Sequence, residues 1–216
     1  MWWFMMATGC ADITPIEDGA VFGSVEVVKD WFTSTALVQS EGTTLMVDAG
    51  FRERAMRRSL SKRGVEPEEV DHVLLTHGHG DHVGALLLYP NAEIWALPEE
   101  ASVLDEQGVT ATSELTVGLQ NFGGIEVEVV AVPGHTPGSA VFVIDGVALL
   151  GDTAQIAKDG RLTPVAEKHS EDPEEAEKSL GTMAQALLDR EVSVIVPSHS
   201  GAGDEQTLQA YVDGLP

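Results

Sequence analysis

Within Thr76-His77-Gly78-His79-Gly80-Asp81-His82-Val83-Gly84, four side chains able to bind a transition metal fall in six consecutive positions. His77 and His79 are two apart, so a tightly turning backbone can aim both into one space, and Gly78 and Gly80 relax that turn. Asp81 and His82 then open the next helix, where a second metal could sit beside the first. Zinc favours imidazole nitrogen and carboxylate oxygen, and a catalytic site keeps one position open for water. A lone histidine on an apolar face is ordinarily a core residue. Three histidines and an aspartate interleaved with glycine are a metal-binding pattern.

Three further stretches share one form, an apolar strand followed by a turn that carries a single donor. They are Val130-Ala131-Val132-Pro133-Gly134-His135, Leu149-Leu150-Gly151-Asp152 and Ile195-Val196-Pro197-Ser198-His199. Each places an imidazole or carboxylate at a strand's C-terminal end, where α/β sheets commonly hold their sites. Taken together they offer a third ligand for one metal, a carboxylate to bridge, and a last imidazole for the other. Asp48, in Asp48-Ala49-Gly50, stands at another such strand end. His72 lies inside the strand before the cluster and reads as structural.

The elements that must carry these groups follow from periodicity. Val25 to Val28, Ala36 to Val38 and Leu45 to Val47 read as an antiparallel meander. Arg52 to Arg63 reads as a helix stopped by Gly64, and it holds six of the twelve Lys and Arg residues. Such a basic stripe could grip an anion, but a solvated face paired with nearby acids is the simpler expectation. A strand over Val70 to Thr76 feeds the cluster, and the helix begun by Asp81 is expected to run on to Leu88. Ile94 to Leu97 reads as a strand and Pro98 to Glu106 as a helix. Strands follow near Leu115 to Val117, Ile125 to Val132, Ala140 to Ile144 and Val147 to Leu150. A helix capped by Asp172 with Pro173 in its first position runs to about Arg190. Val192 to Val196 and Asp204 to Val212 complete the chain as strand and helix. Two sheets packed face to face with helices outside, a four-layer αββα sandwich of the α/β class, fit that order.

The 216 residues suit one domain, placed here at 21–216, after an N-terminal segment at 1–20. The formal charge of −23 repels phosphate backbones, which argues against nucleic-acid partners; the partner expected is a small-molecule substrate. The single cysteine, Cys10, permits no internal disulfide and no zinc ribbon. Met1 to Met6 are apolar, and Ala7-Thr8-Gly9-Cys10 resembles a lipoprotein lipobox, yet the basic n-region and longer apolar core of a signal are missing. The expectation is a truncated lipoprotein signal whose true start lies upstream, with a lipid anchor at Cys10 and a place in the bacterial cell envelope. The alternative is an untidy terminus on a cytoplasmic protein.

From about Val21 to His199 the motif set resembles the metallo-β-lactamase-fold hydrolases: Asp48, the His77 to His82 cluster, His135, Asp152 and His199 occur in that family's order. The resemblance implies one metal on His77, His79 and His135, another on Asp81, His82 and His199, and Asp152 bridging them. Asp48 would orient a ligand or the cluster loop. The last motif departs from the usual Pro-Gly-His-Gly, reading Pro197-Ser198-His199-Ser200. Asp152 and His82 look more like glyoxalase II and related single-domain members than the true β-lactamases. Glyoxalase II carries an added C-terminal region with basic residues for glutathione, and no Lys or Arg follows His199 here.

The activity so implied is a dinuclear zinc hydrolase, with iron or manganese as other metals the site could take. A metal-activated water would attack an ester, thioester, lactone or similar bond, and Asp81 would orient it and accept its proton. One alternative is a mononuclear iron oxygenase of the persulfide dioxygenase type using His77, His79 or His135 with Asp152. Another is a phosphodiesterase or nuclease of the same fold. Substrate contacts are expected from Trp31 and Phe32 in the early hairpin and from His169 in the Lys158 to Ser170 connection, with no basic cluster beside them.

Overall fold

The computed structural model describes residues 16–215, so the lipobox-like segment and Cys10 lie outside the described residues. The first half of the chain forms β1 (Val21–Phe22), β2 (Val25–Lys29), β3 (Ser34–Ser40), β4 (Thr43–Val47), α1 (Glu53–Ser61), β5 (His72–Leu74), α2 (Gly80–Val83), β6 (Glu93–Ala96), α3 (Ala101–Glu106) and β7 (Ser113–Glu114). Its seven strands pair in sequence order. The meander β1 to β4 is antiparallel, and β4 to β7 are parallel because helices return the chain between them. The second half adds β8 (Gly118–Phe122), β9 (Ile125–Ala131), β10 (Ala140–Ile144), β11 (Val147–Gly151), β12 (Ala154–Ile156), β13 (Leu162–Pro164), α4 (Pro173–Leu188), β14 (Val194–Pro197), β15 (Gly203–Asp204) and α5 (Glu205–Asp213). Here the order is β15-β14-β11-β10-β9-β8, with β12 and β13 as a separate hairpin.

Side-chain alternation makes the layers. In β3 and β4, Ala36, Val38, Leu45 and Val47 face the second sheet and meet Val127, Val129, Phe142 and Leu149 in one core. Their neighbours Leu37 and Met46 face the other way and pack with Met56 and Leu60 of α1. On the far side, Val141, Ala148, Leu150 and Ile195 cover Leu180, Met183 and Leu187 of α4 and Leu208 of α5. Strands buried on both faces read as apolar runs, which is why they were legible. The expected four-layer α/β architecture is the one observed.

Several boundaries differ from the sequence reading. The helix expected through Leu88 stops after Val83, and a 3-10 turn at Leu86–Leu88 follows. At the break, Ala85 N–H donates to Gly50 O rather than into the helix, and a β-carbon on Gly84 would come 2.5 Å from both Gly80 O and Phe51 O. The strand expected at Leu115 to Val117 lies instead at Gly118–Phe122, where pairing with β9 across the Gly123-Gly124 turn overrides weak local propensity. The feeding strand is shorter than expected, His72–Leu74. The β12–β13 hairpin was not expected.

The termini of the helices tie them to the future site. No side chain caps α1 at Arg52; instead Asp30 Oδ2 accepts from Phe51 N–H and Arg52 N–H at 2.6 and 2.8 Å. Of the basic stripe, Arg63 pairs with Asp18 and Glu26, and Lys62 with Asp18, as a helix face among acids should. Asp172 caps α4 by accepting from Glu175 N–H at 3.0 Å. Asp172→Ala should therefore lower stability by about 1 kcal/mol. A thermal or urea midpoint unchanged from wild type would show that the cap contributes nothing.

Candidate metal centre

Every sequence-selected donor lies at one edge of the sandwich, at strand C-termini. His77 and His79 occupy the loop after β5, Asp81 and His82 the single turn of α2, His135 the β9–β10 connection, Asp152 the turn after β11, and His199 the turn after β14. The first four come from one sheet and the last three from the other. Backbone bonds close the seam at this edge: Ala140 N–H to Thr76 O at 2.8 Å and Ser34 N–H to Ser198 O at 2.8 Å.

Asp152 sits in the middle. Its Oδ1 is 3.2 Å from His199 Nε2 and 3.4 Å from His82 Nε2, and its Oδ2 is 3.8 Å from His135 Nε2 and 4.0 Å from His77 Nε2. His135 Nε2 and His79 Nδ1 are 3.0 Å apart, and His199 Nε2 is 3.1 Å from Asp81 Oδ2. Three overlapping sets bring their donor atoms within 4.8 Å of one another: His77, His79 and His135; His77, His82 and Asp152; and Asp81, His82 and His199. Asp152 is thus grouped with one residue from each outer set.

The residues fit a metal ion on their own chemistry. His77 Nε2, His82 Nε2 and Asp152 Oδ1 are buried without a hydrogen bond, a costly condition that a cation among them removes. The electrostatics agree. Burial opposes charge on Asp152, yet His82 and His199 together hold its carboxyl well below its usual range. Conversely, burial works against a charged His82, but Asp48 and Asp152 outweigh it and raise the imidazole well above its ordinary value. His199 is pushed up to about 10 against burial, by Asp152 and Asp81. Burial, reinforced by His82, drives His77 well below its ordinary value, and burial takes His135 down to about 4.

Asp48 and Thr76 aim the histidines. Asp48 takes a left-handed backbone, φ +62°, and directs its carboxylate inward. Its Oδ2 accepts from His82 Nδ1 at 2.7 Å and from Thr76 Oγ1 at 2.8 Å, and its Oδ1 accepts from Thr76 N–H at 2.8 Å. That bond fixes the His82 ring with Nε2 toward Asp81 and Asp152.

The early hairpin closes one side of the centre. Thr33 Oγ1 donates to Asp81 Oδ2 at 3.2 Å, His199 Nδ1 lies 3.3 Å from Phe32 O, and the Phe32 and His199 rings stack at 5.5 Å. Trp31 is 71 % exposed, with the Arg52 guanidinium 4.7 Å from its ring centre. Arg52 thus brings a cation to this hairpin. His169 is exposed on the turn Glu167–His169, and Glu171 N–H, two residues on, donates to His135 O. His72 stays outside, its ring against Trp95 and Phe122.

The sequence singles out Thr33 only as part of the early hairpin with Trp31 and Phe32, and sequence reasoning missed Thr76 and Glu100 as supports of the centre. Thr76 is a small hydroxyl residue at the head of the metal motif, with no donor role of its own to mark it. Glu100 sits in an acidic helix start, Pro98-Glu99-Glu100, that reads as a solvated turn, and only its complete burial marks it.

Residues 28–199 match the family profile described as the metallo-beta-lactamase superfamily, and the chain belongs to that family. Among relatives, a metallo-beta-lactamase domain-containing protein 1 of Xenopus laevis is 35% identical over 175 residues, 77% of this chain and 70% of that protein. A hydroxyacylglutathione hydrolase of Xanthomonas euvesicatoria pv. vesicatoria is 31% identical over 131 residues, covering 59% of this chain and 48% of its own length. The chain therefore spans about half the length of that relative. A metallo-beta-lactamase from Pontibacter korlensis superposes with a TM-score of 0.72 over 95% of this chain and 100% of its own, at 16% identity, a likeness of fold.

Proposed function

We propose that this protein is a dinuclear zinc hydrolase that cleaves an ester, thioester, lactone or similar bond. The observation that carries the reading is the cluster of overlapping donor sets drawn from both sheets, with buried His77 Nε2, His82 Nε2 and Asp152 Oδ1 lacking any hydrogen bond. One ion would be held by His77, His79 and His135, the other by Asp81, His82 and His199, with Asp152 shared. Bound there, the metals would supply Lewis acidity and an activated water at neutral pH. Asp81, which accepts from Thr33 and lies beside His199, would orient that water and take its proton. Asp48 holds His82 in the orientation this requires. The relatives support hydrolysis, since one is named for the hydrolysis of a hydroxyacylglutathione.

Trp31 and Phe32 form the apolar side of the mouth in this reading, with His169 on the opposite connection. Phe32→Ala should raise KM by about two- to tenfold, corresponding to about 0.5–1.5 kcal/mol for one aromatic contact, with zinc content unchanged. A fall in kcat at constant KM would place Phe32 in catalysis instead.

Two measurements test the assignment. Metal analysis of purified protein should give two zincs per chain; a single iron would favour an oxygenase of the persulfide dioxygenase type. A panel of ester, thioester, lactone, phosphodiester and β-lactam substrates should show carbonyl bonds of the first three kinds cleaved fastest. Phosphodiester cleavage in the lead would favour the nuclease reading, as would submicromolar RNA affinity at ordinary ionic strength, which the charge of −23 opposes.

A further inference from the structure

Glu100 is a buried carboxylate with no ion pair among the described residues, yet both of its oxygens are engaged. Oε1 accepts from Gly78 N–H at 2.6 Å, while Oε2 accepts from Gly138 N–H at 2.8 Å and from Thr136 Oγ1 at 2.8 Å. Thr136 is itself held by Ser139, through Thr136 N–H to Ser139 Oγ at 3.0 Å and a hydroxyl pair at 2.7 Å. The partners are telling. Gly78 lies between His77 and His79, and Thr136 and Gly138 follow His135. One carboxylate therefore spans the two loops that carry the three imidazoles of one donor set, and those loops belong to different sheets.

Gly138 is sterically required and Gly78 is closely fitted. A β-carbon on Gly138 would run into the Glu100 backbone, and one on Gly78 would come 3.2 Å from Glu100 Oε1 and 3.0 Å from Val103 Cγ1. The loops thus approach Glu100 as closely as backbone permits. A carboxylate taken wholly out of water needs compensation. Three donors give it, and all three belong to the two histidine loops. The Asp81, His82 and His199 set has different supports among the described residues: Asp48 holds His82, Thr33 holds Asp81, and Phe32 O lies against His199 Nδ1.

We infer that Glu100 is a positioning residue that sets the spacing between the His77–His79 loop and the His135 loop, and thereby the metal affinity of the His77, His79 and His135 set in particular. The inference rests on the metal-centre reading above. Amide in place of carboxylate keeps the volume but gives one donating end, so Glu100→Gln turns an NH2 toward one of the backbone N–H groups. The loops then lose their common acceptor and the imidazoles their fixed separation.

The test is zinc titration of metal-free protein in two backgrounds. In His199→Ala the three-histidine set stays complete while the Asp81, His82 and His199 set is broken, and Glu100→Gln should weaken zinc affinity by about 10- to 100-fold, the range for losing a partner that orients metal ligands. In His135→Ala the other set remains, and Glu100→Gln should change its affinity by less than about threefold on the same footing. Cobalt substitution in the His199→Ala background should show an altered visible spectrum with Glu100→Gln. Equal losses in both backgrounds, or none in either, would overturn the assignment, because a residue that merely supports the fold affects both sets alike. Thr136→Val, which removes one donor and leaves the carboxylate, is the milder companion and should lower affinity in the His199→Ala background only. If neither Glu100→Gln nor Thr136→Val folds, Glu100 belongs to the core alone and the inference fails. Absence of zinc binding by the unmutated protein is a separate outcome, since it removes the metal-centre reading itself.

Discussion

Asp152→Ala should abolish hydrolysis of whatever substrate the panel identifies, by on the order of 10³-fold or more, and strip the protein of metal. Asp152 is the group nearest to His77, His82, His135 and His199 at once, so its loss damages both donor sets together. His77→Ala should behave alike, because His77 is shared between two of the sets. The sheets should remain folded in both variants, since the inter-sheet core of Phe142, Leu45 and Val127 lies away from the strand ends. Melting temperature should still fall in metal-containing buffer, by about 5–10 °C where free metal stood near 100 times Kd, and the wild type should match the variants once chelated. Circular dichroism, metal analysis and turnover together check this. Wild-type turnover in both variants would end the dinuclear assignment.

Gly134→Ala is expected to be the most damaging single-methyl change. Gly134 sits at φ +129°, and a β-carbon there would overlap the backbone N and Cα of Ala176 in α4. The strain has no flexible side chain to absorb it, because the obstacle is a helix backbone. The same contact docks α4 on the histidine loop, with Asp172 N–H donating to Gly134 O at 2.9 Å and Glu171 N–H to His135 O at 3.1 Å. A loss of about 3 kcal/mol is expected, about 6–12 °C in melting temperature for a chain of this size. Zinc affinity should fall with it as His135 shifts. A melting temperature within a degree of wild type would show that α4 moves away freely and that its docking does not hold the loop.

The candidate ligands were legible because each follows an apolar strand, so chain direction alone put Asp48, His77, His135, Asp152 and His199 at one edge. The layers were legible for the same reason, with both faces of β4 and β11 apolar. What escaped were features that exist only between segments. Gly118–Phe122 holds little strand propensity, and it is a strand because β9 offers an edge. The helix stops at Gly84 because Ala85 N–H donates to Gly50 O, a partner far back in the sequence and absent from any local pattern. Glu100 resembles its neighbour Glu99 letter for letter, yet one is exposed and the other holds two loops. Arg52 reads as one more charge on a basic helix, and only the hairpin brings Trp31 beneath it.

The first sheet is complete by Glu114 and the second begins at Gly118, so the seam between the sheets is also a cut in the chain. Cleavage among residues 115–117 would put His77, His79, Asp81 and His82 on one fragment and His135, Asp152 and His199 on the other, and neither fragment would own a full donor set. Metal held by a set drawn from both fragments would then act as a chemical dimeriser of two half-proteins, and fragment reassociation would depend on metal concentration.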